Sequence, residues 1–149
     1  MEILRKKEQP ALSIRYRTAA AKLPETMGPV FGQIAAYMAR KGIPFAGPPF
    51  AMYHNMDMED LDVEIGFPVG KAEPGEGRIK SGRLPGGPTA TAKHTGPYTT
   101  IETTYNTLMA FVAEKGVTPE SFMYEEYLNS PEDTPVEKLE TNIYFPLKG

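Results

Sequence analysis

Glu64-Ile65-Gly66-Phe67-Pro68-Val69-Gly70-Lys71 returns at the end of the chain as Asn142-Ile143-Tyr144-Phe145-Pro146-Leu147-Lys148-Gly149. In the first copy Val63, Ile65, Phe67 and Val69 alternate with Asp62, Glu64, Gly66 and Pro68; in the second Ile143, Phe145 and Leu147 alternate with Asn142, Tyr144 and Pro146. A period of two marks a strand with one buried face. Working back from each copy, the same signals recur in the same order. Gly28-Pro29-Val30-Phe31, then Ala36-Tyr37-Met38-Ala39-Arg40-Lys41-Gly42-Ile43, then Phe50-Ala51-Met52-Tyr53-His54-Asn55 are answered in turn. Their counterparts are Gly96-Pro97-Tyr98, Ala110-Phe111-Val112-Ala113-Glu114-Lys115-Gly116-Val117 and Tyr124-Glu125-Glu126-Tyr127-Leu128-Asn129. A chain that repeats its signals in order repeats a supersecondary unit.

Helical spacing of Val30, Phe31, Ile34, Ala35, Tyr37 and Met38 predicts an amphipathic helix over 28–41, stopped by Gly42 behind two cations. Ile101, Tyr105, Leu108, Met109 and Val112 predict its counterpart near 99–115. Extended segments are expected at about 48–54, 62–69, 121–128 and 140–147. A further strand precedes each helix, carried by Leu12-Ser13-Ile14-Arg15-Tyr16 and by Thr89-Ala90-Thr91-Ala92-Lys93. Lys71 to Gly77 reads as a turn-rich connection, and so do Gly82, Gly86 and Gly87 among Pro85 and Pro88. The expected fold is α+β, strand-helix-strand-strand twice over, at about 1–71 and about 78–149 of one domain spanning 1–149. Its antiparallel sheet carries both helices on one face.

The 149 residues suffice for one core, and 40% apolar with 23% charged residues is an ordinary globular balance. A net charge of −3 argues against a nucleic-acid footprint, since phosphate binding draws on clustered Lys and Arg. The one basic run, Arg5-Lys6-Lys7, reads as a solvated strand end. With no cysteine there is no disulfide, thiolate metal site or cysteine nucleophile. His54 and His94 lack the spaced partners of a zinc site, so neither a metal nor a cofactor is expected. No apolar signal core follows Met1, and no apolar run approaches a membrane span, so a cytoplasmic protein is expected.

If the Val63 and Ile143 series face the helices, the other face carries Glu64, Gly66, Asn142 and Tyr144. The same parity pairs Ala51 with Glu125 and Tyr53 with Tyr127, each pair on a common face. An aromatic-rich face with one or two carboxylates and no basic residue suits a flat organic cation, because tyrosine rings and a carboxylate both attract positive charge. Parity alone leaves open whether Glu125 or Glu126 turns inward.

Tyr124-Glu125-Glu126-Tyr127-Leu128-Asn129-Ser130-Pro131, the closing Thr141-Asn142-Ile143-Tyr144-Phe145-Pro146-Leu147, and His94-Thr95-Gly96-Pro97-Tyr98 together resemble the GyrI-like (gyrase-inhibitory-protein-like) effector-binding domains. This family also serves as the ligand-sensing half of multidrug-responsive regulators. The resemblance spans nearly the whole chain. It implies two modules related by pseudo-twofold symmetry with a ligand cleft between them, and bulky hydrophobic, often cationic ligands held by a central glutamate. Carried over, that glutamate is Glu125, in a Glu-x-Tyr pattern completed by Tyr127. Tyr144 and Asn142 come from the neighbouring strand, Tyr53 from the first half, and Phe31, Tyr98 and Ile101 from the helix starts. No helix-turn-helix segment is evident, so a stand-alone domain without direct DNA binding is expected, a monomer being compatible with the sequence.

The favoured function is binding or sensing of small hydrophobic cations. An alternative is hydrolysis of strained cyclopropane-containing electrophiles, as the resemblance implies for some relatives, with Glu125 activating water and Tyr127 or Tyr144 hydrogen-bonding to the group that gains charge. A third is inhibition of a protein partner through the acidic stretch Asp57-Met58-Glu59-Asp60-Leu61-Asp62.

Overall fold

The computed structural model describes residues 1–148, so Gly149, the last position of the repeated motif, lies outside the described residues. The elements in chain order are β1 (Glu2–Lys6), β2 (Gln9–Thr18), α1 (Leu23–Lys41), β3 (Phe50–Tyr53), β4 (Leu61–Pro68), β5 (Lys80–Leu84), β6 (Gly87–Thr95), α2 (Ile101–Glu114), β7 (Met123–Tyr127) and β8 (Glu140–Pro146). The class is α+β, with eight antiparallel strands and two helices among the described residues. Two compact units divide the chain: Glu8–Pro85, and Met1–Lys7 together with Gly86–Gly149.

In the first unit β2 pairs with β4 on one side and β5 on the other, and β3 pairs with β4, all antiparallel. The helix α1 packs on β2 and β4. Leu12, Ile14, Val63 and Ile65 are fully buried on the sheet, and Val30, Ile34 and Met38 are buried on the helix. Gly66, on the reverse face of β4, is required by a close approach: a Cβ there would fall 2.0 Å from the carbonyl oxygen of Leu12.

In the second unit β6 pairs with β8 and β1, and β7 with β8, again antiparallel. Ala90, Ala92, Ile143, Phe145 and Leu147 form its core with Leu108 and Val112 of α2, and Ile101 and Tyr105 pack against them. The registers superimpose: Ile14 faces Ile65 as Ala92 faces Ile143, and Ala51 faces Ile65 as Glu125 faces Ile143. Each helix is tied to the strand before it at the same place, by Tyr16 to Thr26 at 2.9 Å and by His94 to Thr104 at 2.7 Å. Both helices end on a left-handed glycine, Gly42 at φ 68° and Gly116 at φ 69°. The next residue's N–H then bonds five residues back, Ile43 to Met38 and Val117 to Val112, which closes the helix end.

Three local expectations need correction. The first helix begins at Leu23, with Pro24 in its opening positions and Glu25 in its first turn, both favourable there. Gly28 and Pro29 therefore lie inside α1 and are not the counterpart of Gly96-Pro97. The positions that correspond are Ala19 and Pro97, each standing before a short 3-10 turn. Finally, Lys80–Leu84 and Gly87 belong to strands, so only Pro85-Gly86 turns. Strands β1 and β5 are short and largely exposed, with Leu84 their one buried apolar side chain, so backbone pairing does most to hold them.

Candidate functional site

Strand β7 places Tyr124 opposite Tyr144, Glu125 opposite Ile143, and Glu126 opposite Asn142. Because Ile143 belongs to the core under α2, the register turns Glu125 towards the helix and Glu126 to the reverse face. Glu125 is 8% exposed, a carboxylate buried among apolar groups. Its Oε1 accepts a hydrogen bond from the Tyr127 hydroxyl at 2.9 Å, and its Oε2 accepts one from Tyr105 of α2. Among the described residues no ion pair reaches it. Burial pushes its pKa above the ordinary carboxylate value, while the hydroxyls of Tyr105 and Tyr127, and more weakly His94, oppose the rise.

The surroundings are aromatic. The Tyr98 ring meets Tyr127 edge-on at 5.9 Å between centroids, and the Tyr105 ring lies 5.9 Å from Phe145. Tyr98 is 39% exposed, so the constellation reaches the surface at its edge. Burial, and then the Glu125 charge, raise the Tyr98 hydroxyl's pKa. His94 anchors the start of α2: one ring nitrogen meets the Thr104 hydroxyl at 2.7 Å and the other the Pro97 carbonyl at 3.0 Å. The second contact requires the N–H on Nε2, so Nδ1 accepts from Thr104 in the neutral ring.

Of the residues singled out from sequence, Glu125, Tyr127 and Tyr98 come together, and Ile101 packs on the core beside them. Tyr144 and Asn142 do not join them. Their hydroxyl and amide donate to Glu126 on the other face of the sheet, at 3.1 Å and 3.0 Å, beside Lys6. The expected single face with carboxylate, tyrosines and no basic residue is thus two faces, one of them carrying a lysine. Tyr53 lies on the α1 side of β3, opposite Val63, and Phe31 packs edge-on against Phe67 at 5.5 Å; both belong to the first unit. Tyr105 was legible only as part of an apolar stripe. Its place four residues after Ile101 fixes the helix face, but its bond to Glu125 depends on a strand twenty residues away.

The first unit has polar chemistry on its reverse face. Glu64 accepts from Ser13 at 2.6 Å and meets His54 at 2.9 Å, and the His54 contact above all holds its pKa below the ordinary carboxylate value. The acidic stretch is partly consumed: Arg15 forms a two-point pair with Asp62 at 2.7 and 2.8 Å, and Arg17 reaches Asp60. A surface depression of 390 Å³ is lined by Tyr37, Lys41, Ile43 and Glu73 to Glu76. It contains none of the residues around Glu125.

The model of the GyrI-like small molecule binding domain matches residues 1–148. Among solved structures, the EcmrR C-terminal domain is 23% identical, with 99% of this chain and 96% of that one covered at a TM-score of 0.87. In the EcmrR–DNA complex the match, also 23% identical with 99% of this chain covered, takes in 56% of that chain at a TM-score of 0.86. This chain thus spans little more than half of that protein. SAV2435, solved with tetraphenylphosphonium, is 11% identical over 99% of this chain and 93% of that one, at a TM-score of 0.66. A hydrolase from Listeria innocua is 15% identical over 99% and 91%, at 0.70. Identities this low establish a shared fold. No sequence among the curated proteins matches the chain.

Proposed function

Since the chain belongs to the family of GyrI-like small molecule binding domains, we propose that it binds bulky hydrophobic cations, with Glu125 as counter-charge and Tyr98, Tyr105 and Tyr127 as aromatic wall. One observation carries this reading: a buried carboxylate is held by two tyrosine hydroxyls, with no ion pair to it among the described residues. A buried charge without a counter-ion is costly. A bound organic cation would offset that cost and stack on the surrounding rings. The structure of SAV2435 with tetraphenylphosphonium supports the ligand class by analogy of fold. Sequestration or sensing of such compounds is the corresponding role.

Calorimetric titration with tetraphenylphosphonium tests the reading. Wild type should bind saturably, and Glu125→Gln should lose about tenfold to a hundredfold in affinity, the worth of a charge-assisted contact. Equal affinity in a folded Glu125→Gln would sink it. Affinity should also fall on acidification, as Glu125 takes up a proton and loses its charge.

Hydrolysis of a strained ring is a second reading, favoured by the hydroxyl donors and by the raised pKa of Glu125, which suits a general base. Glu125 would take the proton of water as its oxygen bonds to the ring carbon. The strained C–C bond would break towards a conjugated oxygen, to which Tyr127 would turn its hydroxyl from Glu125 and which would then take up the proton from Glu125. Tyr144, on the reverse face, has no part in this chemistry. Turnover in wild type, lost in Glu125→Gln, separates catalysis from binding alone.

A further inference from the structure

The reverse face of β7 and β8 holds a second cation-recognition chemistry. Tyr124 and Tyr144 stack with centroids 4.8 Å apart at 27°. The Lys6 ammonium, at the end of β1, lies 3.8 Å from the Tyr144 centroid and 5.3 Å from that of Tyr124. Glu126 stands beside them, held by Asn142 and by the Tyr144 hydroxyl. Tyr124 is fully buried, and its hydroxyl has no hydrogen-bond partner among the described residues. A polar atom left unmade in this way is costly, and a ligand or water that reached it would remove the cost.

Two ring faces beside a carboxylate are what an aromatic cage for an ammonium group contains. Here the occupant is the chain's own lysine. Lys6 forms no ion pair at contact distance among the described residues, and its partial burial disfavours its charge, with Glu126 acting in opposition. The strand that carries it is short and mostly exposed, and among the described residues it pairs with β6 alone at the end of the strand order. Such a terminal strand opens at lower free energy than the core.

We propose that the Tyr124, Tyr144 and Glu126 face is a second site, for small alkylammonium groups, which Lys6 fills as a tethered occupant until an external ammonium displaces it. The site is independent of Glu125, which points to the opposite face of the same strand.

Tetramethylammonium chloride is the probe, followed through the ring signals of Tyr124 and Tyr144 by NMR, with sodium chloride as the ionic-strength control. In Lys6→Gln and Lys6→Ala those signals should shift saturably, with affinity about tenfold tighter than wild type, since the competing occupant is gone. Lys6→Gln keeps the first two methylenes of the stem and carries the test even where Lys6→Ala does not fold. Tyr144→Leu added to Lys6→Gln should abolish the gain. Affinity unchanged by loss of the Lys6 charge, or ring shifts reproduced by sodium chloride, would overturn the proposal. Failure at Glu125 with success here would leave this site standing.

Discussion

Ala51 and Glu125 occupy the same place in two copies of one strand, facing Ile65 and Ile143, yet one is an inert methyl and the other a buried carboxylate. The helix position that follows the shared threonine differs in the same sense. After Thr26 comes Met27, and after Thr104 comes Tyr105, whose hydroxyl bonds Glu125. Tyr53 and Tyr127 match, as do the tie from strand to helix and the glycine at the helix end. One scaffold thus appears twice, and the charge is installed only where a helix supplies a second hydroxyl to receive it. The reverse faces diverge too. The first unit carries Glu64 with Ser13 and His54, while the second has Asn142 in that place and Tyr144 where the first needs Gly66.

The largest effect should come from forcing the units to agree. Ala51→Glu buries a carboxylate with Tyr53 as its one matching tyrosine and Met27 in place of a hydroxyl donor, and should cost about 3–5 kcal/mol at pH 7. Urea denaturation should show the loss shrinking towards pH 4, where the new group is protonated. An equally tolerant first unit would mean that the tyrosine pair is not what makes Glu125 bearable.

Next in size is the tie between strand and helix. Thr104→Val leaves a buried His94 nitrogen unpaired and should cost about 1–3 kcal/mol, while Thr26→Val, beside a better solvated tyrosine, should cost about 1 kcal/mol. Hydrogen exchange at the start of each helix would locate the damage. Smallest is the cross-strand ion pair that the units share, Arg15 with Asp62 and Lys93 with Glu140. Lys93 and Glu140 are more exposed, so breaking their pair should change stability by less than about 1 kcal/mol, while the two-point pair to the partly buried Asp62 should be worth about 1 kcal/mol, both less in high salt.

The sequence carried the repeat, because a buried sheet face writes a period of two and a packed helix a period of about 3.6, and both survive in each half. It misplaced the start of α1, since Pro29 resembles a helix opening as closely as Pro24 does. It missed β5 and the pairing of β1, because edge strands are specified by their partners' backbones. At the site, Glu125 and Tyr127 were legible from parity within one strand. Grouping them with Tyr144 and Asn142 failed because faces are matched across strands by register, which a local pattern does not contain. Tyr105 and Lys6 were hidden for the same reason, each acting on a strand distant in sequence.

Protonation distinguishes the two units as well. Glu64, with its pKa lowered, contributes stability above the ordinary carboxylate value that is lost as pH falls through its folded pKa. Glu125 works in the opposite sense: in the window between the ordinary value and its raised one, the folded state binds more protons than the unfolded, so stability falls as pH rises. The most direct test of the account is an NMR titration of the Glu125 side-chain carboxyl carbon, with and without tetraphenylphosphonium. The account predicts a titration above the ordinary carboxylate range in the free protein, drawn back down when the cation binds. A Glu125 that titrates at or below the ordinary value, or one that the cation leaves unmoved, would contradict it.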